Sequence, residues 1–407
     1  AGMTGPPALN NSVWSRQVVG GPDERQLTTG TLCYAAFCDG QVTALYPVMI
    51  SRRLFQSSPL SLLPESLRPA TALSQLSPAD RVFGWVNQEG HGAYKGNLRI
   101  GPVTCQQDSA IHWFNTHNRN LTEDEARHQP GLPLAILGQP KPQQARFYVA
   151  ASQNGEAQPN GQTKEQAGYS TGKGLRGRKV YPHHNGLPEG HWDNPLEDRT
   201  QQANNGHFQE YRRPRLNGQE QRDNQNRSIQ GWVKPGAVFT FDIHVTNLSK
   251  VELGALLWLL SLPDNHYHRF GGGKPLGFGS VTLTIDATHT HLHDGKSWKE
   301  VYSTLEDALP NEADQNALVQ AFQDAVRTSY GSSASFEQVP FIAAWLKMAT
   351  GHQGTLPTHY PRISAHPDPV GENFRWFTAN ESGQRVCLGN LENDSGLPML
   401  DAPRRGN

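Results

Sequence analysis

The stretch from Val238 to Asp286 constrains the fold of this chain more than any other. Phe239, Phe241, Ile243 and Val245 alternate with Thr240, Asp242, His244 and Thr246, the two-residue period of a strand with one buried face. Ser249-Lys250-Val251-Glu252 follows, a capping box in which serine and glutamate satisfy the first free amides of a helix. Leu248 and Leu253 are spaced for a hydrophobic staple. Leu256, Leu257, Leu259 and Leu260 carry the helix to a stop near Pro263. A glycine-rich loop comes next, and Val281, Leu283 and Ile285 then alternate with Thr282 and Thr284. Strand, helix, glycine loop and strand in this order predict a right-handed crossover with both strands in one sheet. That is the second half of an α+β, ferredoxin-like fold.

The loop runs Arg269-Phe270-Gly271-Gly272-Gly273-Lys274-Pro275-Leu276-Gly277-Phe278-Gly279-Ser280. With so little side-chain bulk its backbone can approach a polymer closely, and its N–H groups can point at phosphates. Lys274 adds a positive charge, His268 and Arg269 flank it, and Phe278 offers a stacking or packing surface. A nucleoside-triphosphate loop needs G-x-x-x-x-G-K-[ST] between a strand and a following helix. Here Pro275 follows Lys274 and the order runs from helix to strand, which excludes that reading. Two readings stay open from the residues alone: phosphate contact, or a connection whose glycines only let the helix pack closely on the sheet.

The rest of the chain bounds the context. Its 407 residues suit one elaborated domain or two. A net charge of −1 supplies no global field toward nucleic acid or membrane, so any nucleic-acid site must be a local patch. The four cysteines, Cys33, Cys38, Cys105 and Cys387, form no C-x-x-C pair, which excludes a zinc ribbon and a thioredoxin-type motif. Cys33 and Cys38 are expected as small buried residues in or beside strands. So few cysteines fit a reducing cytoplasm. No apolar run is long enough to cross a bilayer, so no membrane partner is expected.

Residues 1–28 read as a polar lead-in. Asp39-Gly40 lies between two β-rich runs, Thr31 to Phe37 and Gln41 to Ile50, and predicts a hairpin. Residues 56–80 read as loop with short helical turns, and Asn97 to Val103 and Ala145 to Ala151 as strands. From Ser152 to Asn226 glutamine, asparagine, glycine and arginine dominate and apolar periodicity disappears. That predicts a long irregular insertion, flexible unless a partner orders it. The expected organisation is a core over residues 1–285, with the insertion at about 152–227, and a helical and irregular C-terminal extension over 286–407. In the extension, Glu312 to Ser329 and Phe336 to Thr350 read as helices, with Ala317, Leu318, Ala321, Phe322 and Val326 on one apolar face. Glu372 to Phe377 reads as its packing anchor.

Three spaced segments resemble a known family. His268 to Val281 resembles the C-terminal glycine loop of CRISPR-associated RAMP proteins. Arg81-Val82-Phe83-Gly84, followed by Gly92-Ala93-Tyr94-Lys95-Gly96-Asn97-Leu98-Arg99-Ile100, resembles that family's "R-L-F-G … Y-K-G-R-V-R-F" segment. Gly177-Arg178-Lys179-Val180-Tyr181-Pro182-His183-His184 resembles the "G-R-K-F-Y-x-H-H" run of one subgroup, which includes the last RAMP module of the fused single-chain type III effectors. The resemblance implies an RRM-like, ferredoxin-like core in a backbone subunit of a cytoplasmic antiviral effector. Such a subunit grips guide RNA by shape and phosphates, with other CRISPR effector subunits stacked along it and target RNA as a further partner. On the matching positions it implies RNA contact by Tyr94, Lys95 and Arg99, by Arg178, Lys179, His183 and His184, and by His268 and Arg269. In the loop it implies contact by Gly271, Gly272, Gly273, Lys274, Gly277, Phe278 and Gly279.

Two departures matter. Where family members carry a zinc-binding C-x-x-C before the R-L-F-G element, this chain has Ser77-Pro78-Ala79-Asp80, so neither zinc nor another cofactor is expected. Family members also begin with a strand and a "P-G-S-x-x-R-G" helix, and no such element precedes Thr31. The resemblance therefore implies a missing N-terminal RAMP half, supplied by a partner or lying outside a fragment. Target cleavage in the family uses an aspartate of that half, so no catalytic residue is carried over.

Further cations cluster around the third segment. Lys173, Arg176, Arg178 and Lys179 fall within seven residues, and Arg212, Arg213, Arg215, Arg222 and Arg227 follow. The planar fork of arginine suits phosphate oxygens, and Tyr181, Phe208 and Tyr211 are placed to stack on bases. Glu197, Asp198, Glu210 and Asp223 dilute the patch. RNA contact is favoured for Arg176 to His184 and a solvated loop for Arg212 to Arg227. Neighbouring strand positions face opposite ways, so His183 and His184 do not suit one metal ion. Histidine does serve as acid or base in metal-independent RNA processing, which keeps an endoribonuclease using His183 or His184 as the alternative. A structural adaptor without RNA contact is the third reading. The histidines from Thr288 to His293 read as a polar strand end, and neither G-x-S-x-G nor H-E-x-x-H is present.

Overall fold

The computed structural model describes residues 34–46, 55–88, 90–114, 122–128, 131–192, 203–204, 206–212, 215–216, 219–220, 225–305, 312–331, 335–353, 357–367, 370–393 and 396–400. The fold mixes α and β, and its described strands pair two by two. Asp39 and Gly40 both take positive φ, 51° and 78°, the requirement of the expected tight turn between Tyr34–Cys38 and Gln41–Tyr46. Cys38 is exposed rather than buried, because most of this hairpin faces solvent. Cys33 lies outside the described residues.

A long two-stranded ribbon organises the centre. Leu98–Ile100, Thr104–Cys105 and Ile111–Trp113 run antiparallel to Ile243–Val245, Phe239–Thr240 and Gly231–Val233. At one end Phe114 and Trp232 enter a core with Leu132, Leu134, Trp192, Tyr211 and Leu276. At the other the chain enters the helix Lys250–Leu260 through the expected capping box: the Ser249 amide donates to Glu252 Oε2 (2.8 Å) and the Glu252 amide to Ser249 Oγ (3.3 Å). Arg81 pairs with the same glutamate at 2.6 Å.

The crossover differs from expectation. The strand over Phe239 to Val245 pairs with Leu98 to Cys105, whereas Ser280–Val281 pairs with His268–Arg269. The glycine loop therefore closes a short hairpin instead of leading from helix directly to strand, and among the described residues the two predicted strands do not share a sheet. The loop's own backbone bond, Phe270 N–H to Gly279 carbonyl at 2.7 Å, sets this turn. Beyond Val281 the predicted alternation survives as burial: Val281, Leu283 and Ile285 are half-buried and Thr282 and Thr284 exposed.

The C-terminal extension packs on the core. Helix Gln315–Tyr330 crosses Lys250–Leu260 at Gly254, where a Cβ would lie 2.0 Å from the Leu318 carbonyl oxygen. Trp258, Phe322 and Leu346 surround Val326, Phe336, Val339 and Ile342 there. Gly254→Ala is expected to destabilise the chain by about 2 kcal/mol, because two helices must part, against a helix-propensity gain of about 1 kcal/mol. Urea unfolding midpoints of the two proteins check it.

The segment expected to be flexible is ordered over residues 152–192. Side-chain bonds to backbone, not apolar periodicity, hold it: Gln158 Nε2 donates to the Val149 and Ala167 carbonyls, both at 2.9 Å. Tyr169 joins Leu62, Ala145 and Val149 in a second core. Trp376, in the helix Arg375–Ser382, is fully buried, as expected of an anchor, and its indole N–H donates to the Pro398 carbonyl. Buried Arg146 grips Glu381 with two bonds, 2.9 and 3.0 Å. Among the described residues no helix is long and apolar enough to cross a membrane.

Candidate nucleic-acid interface

The glycine loop has an inner and an outer side. Inside, Gly273 and Gly277 bracket a turn with positive φ, 69° and 94°, and Leu276 between them enters the core. Phe278 stacks on Trp192 with ring centres 4.9 Å apart. A Cβ on Gly279 would lie 1.8 Å from the Phe270 carbonyl oxygen, and one on Gly277 3.1 Å from His184 Nδ1. These glycines serve close packing. Outside, a Cβ on Gly271 or Gly272 would meet nothing within 4 Å. Phe270 stands beside them 73 % exposed. Phe278 is thus the packing aromatic, and the free one is Phe270, which sequence reading passed over although it abuts the open glycines.

The third sequence segment meets this loop. His183 Nδ1 and Ser280 Oγ are 2.8 Å apart across 97 residues of sequence, and His184 lies under Gly277. The His183 ring stacks on Tyr267 at 4.3 Å, and its amide donates to the Met348 carbonyl. Arg269 donates to the Ser280 hydroxyl and to the Lys274 carbonyl, and burial lowers its pKa to about 10, which leaves it charged at neutral pH. His268 Nε2 sits 2.7 Å from the Leu259 carbonyl, and its ring edges onto Trp345. These residues hold the loop. Lys274, whose ammonium donates to the Gly271 carbonyl, stays at the outer side, and Arg178 and Lys179 are exposed on the neighbouring segment.

Other expected contacts are placed differently. Arg176 turns inward and donates to the Leu388 and Gly389 carbonyls and to Asn390 Oδ1. Arg99 lies on the central ribbon opposite His244, Tyr94 lies opposite Trp85 in a separate short hairpin, and Lys95 follows it exposed. Tyr211 is fully buried, and Phe208 lies under the Arg362 guanidinium at 3.9 Å, so neither is offered to a base. Arg212 is half-buried and Arg227 exposed; Arg213, Arg222, Glu197, Asp198 and Asp223 lie outside the described residues, as does the Arg215 side chain. His289 and His291 pair with Asp286 and Glu312.

Beneath the loop lies a cavity of about 10 Å³, room for one water, lined by His184, His191, His207, His359, Glu210 and Leu276. Burial, with Arg269 nearby, lowers His184 to a pKa of about 3 and His183 to about 4. Burial, with His207 beside it, lowers His191 to about 4. All three are neutral at pH 7, and His184 is only 6 % exposed, which removes it from direct RNA contact. Among the described residues no cluster of three or more histidine, cysteine or acidic side chains is arranged to hold a metal ion. No protein-family model matches the chain, and no curated protein matches its sequence.

Proposed function

We propose that this chain is an RNA-binding subunit or module of a type III-like CRISPR effector, built on a ferredoxin-like RAMP core, and that it grips guide RNA with the outer side of the glycine loop. One observation carries the reading. The glycine loop and Gly177–His184, matched separately in the sequence, meet through His183 and Ser280. We read the open backbone at Gly271 and Gly272, Lys274 and the exposed Arg178 and Lys179 as the gripping groups, with Phe270 supplying a face for one base. Arg269, His183 and His184 support this surface from below.

Fluorescence anisotropy with a labelled single-stranded RNA tests it. The double variant Lys274→Glu, Arg178→Glu is expected to weaken binding at least about tenfold and to flatten the salt dependence by one to two phosphate contacts. The RNA is expected to stay intact. Cleavage abolished by His183→Ala would move the assignment to an endoribonuclease, and salt-insensitive or absent binding would leave a structural adaptor.

A further inference from the structure

We propose that the helix Gly295–Thr304 is a docking element whose apolar stripe seats in a hydrophobic groove, rimmed by lysine or arginine, on a separate folded protein. The helix is complete in itself. Asp294 caps its start by accepting from the Ser297 amide (2.8 Å), and the Leu305 amide closes its end on the Val301 carbonyl (2.7 Å). At about 100° per residue, Trp298, Val301 and Tyr302 share one face, and Lys296, Lys299 and Glu300 lie off it. Leu305 prolongs the stripe, which gives the i, i+3, i+4, i+7 anchors of a helix laid into a groove. Yet no residue of this helix is buried. Trp298 is 44 %, Tyr302 74 % and Leu305 82 % exposed, and the two rings stack with centres 6.0 Å apart.

Leu305 adds a second observation. Its φ is 59°, the left-handed conformation that suits glycine or asparagine at a helix end and strains a leucine. Its side chain joins none of the hydrophobic cores among the described residues. The strain therefore does nothing for this fold, and the exposed side chain serves as a further anchor. Charge selects the occupant. Residues 286–331 hold eight aspartates and glutamates against three lysines and arginines. RNA phosphates and anionic lipid headgroups are repelled, and a second copy docking through the same helix sets two acidic surfaces face to face. The runs of this chain outside the described residues reach ten residues internally and 33 at the N-terminus. Below about 40 residues a chain seldom builds a core alone, and a groove needs walls on both sides of the helix. A separate protein with a basic rim meets both requirements.

The inference does not rest on the RNA assignment. The test places p-benzoylphenylalanine at Tyr302 of the full chain and, separately, at Glu300 on the other face, in the native host, with mass spectrometry of the photoproducts. Tyr302 is expected to label one other polypeptide, in an apolar segment with lysine or arginine beside it, and Glu300 is not. Leu305→Gly separates docking from folding. Glycine accepts the left-handed conformation, so the urea midpoint is expected at or above that of the wild type, while labelling from Tyr302 falls at least about tenfold. Labelling of this chain, of a second copy, of RNA or of lipid overturns the proposal. So does no labelling, equal labelling from both positions, or labelling indifferent to Leu305→Gly. RNA affinity of the isolated chain is read separately. Its loss would overturn the RNA assignment without moving the crosslinks.

Discussion

Replacing Arg362 with methionine is expected to destabilise the chain by about 3–5 kcal/mol, because it leaves Glu210 buried without its cation. Both side chains are almost fully buried, with Arg362 Nε 3.6 Å from Glu210 Oε1. Asn373 donates to Glu210 Oε2 at 2.6 Å, and the guanidinium also covers Phe208. Burial already pushes the Glu210 carboxyl up to about 7, against the pull of Arg362 and Asn373. Without the cation that value rises further. A carboxyl whose folded pKa exceeds its unfolded value loses stability as pH rises, so the deficit of the variant is expected to grow from pH 6 to pH 8. Adding Glu210→Gln removes the buried charge while keeping an acceptor for Asn373, and is expected to restore more than half of the loss. Urea unfolding of the wild type, the single and the double variant measures all three. A single variant within about 1 kcal/mol of wild type would contradict the burial argument.

What the sequence made legible was local. Asp39-Gly40, the Ser249–Glu252 box and the Trp376 anchor are each written in a few adjacent residues, and each forms as expected. What it hid was pairing at a distance. Gln106 bonds Thr240 across 134 residues, and no periodicity in either strand names the other. Phe270 and Phe278 have nearly the same neighbours in sequence; remote Trp192 decides which one is buried. Arg176 and Arg178 are two residues apart, yet Leu388 to Asn390 capture one and leave the other exposed. Segment 152–192 showed no apolar period because amide side chains such as Gln158 order it. Glu210 looked like a diluting surface charge for the same reason: its partners, Arg362 and Asn373, lie more than a hundred residues on.

Acidification should remove a net of about 4 kcal/mol of stability between pH 6.5 and pH 5, most of it through the histidines around the loop. In the unfolded chain a histidine titrates near 6.5. In the fold His183 and His191 are held to about 4 and His184 to about 3, chiefly by burial. A depressed folded pKa means that the neutral folded form is fully stable above 6.5, while below it the unfolded state takes up protons the fold refuses. Each such histidine costs about 1.4 kcal/mol per pH unit, or about 2 kcal/mol over this interval and about 6 for the three. Glu210 works the other way, since its raised pKa lets the fold take up a proton first, returning about 2 kcal/mol. His207 and His359, lowered mainly by burial, add to the loss. Urea unfolding at pH 7, 6 and 5 gives the slope directly, and His191→Asn should flatten it by close to one proton. A pH-independent midpoint would mean that these imidazoles take up protons in the fold as readily as in the unfolded chain, and so are charged at pH 5. That would set a cation at His184 against Arg269, directly beneath Gly277, where the loop is seated.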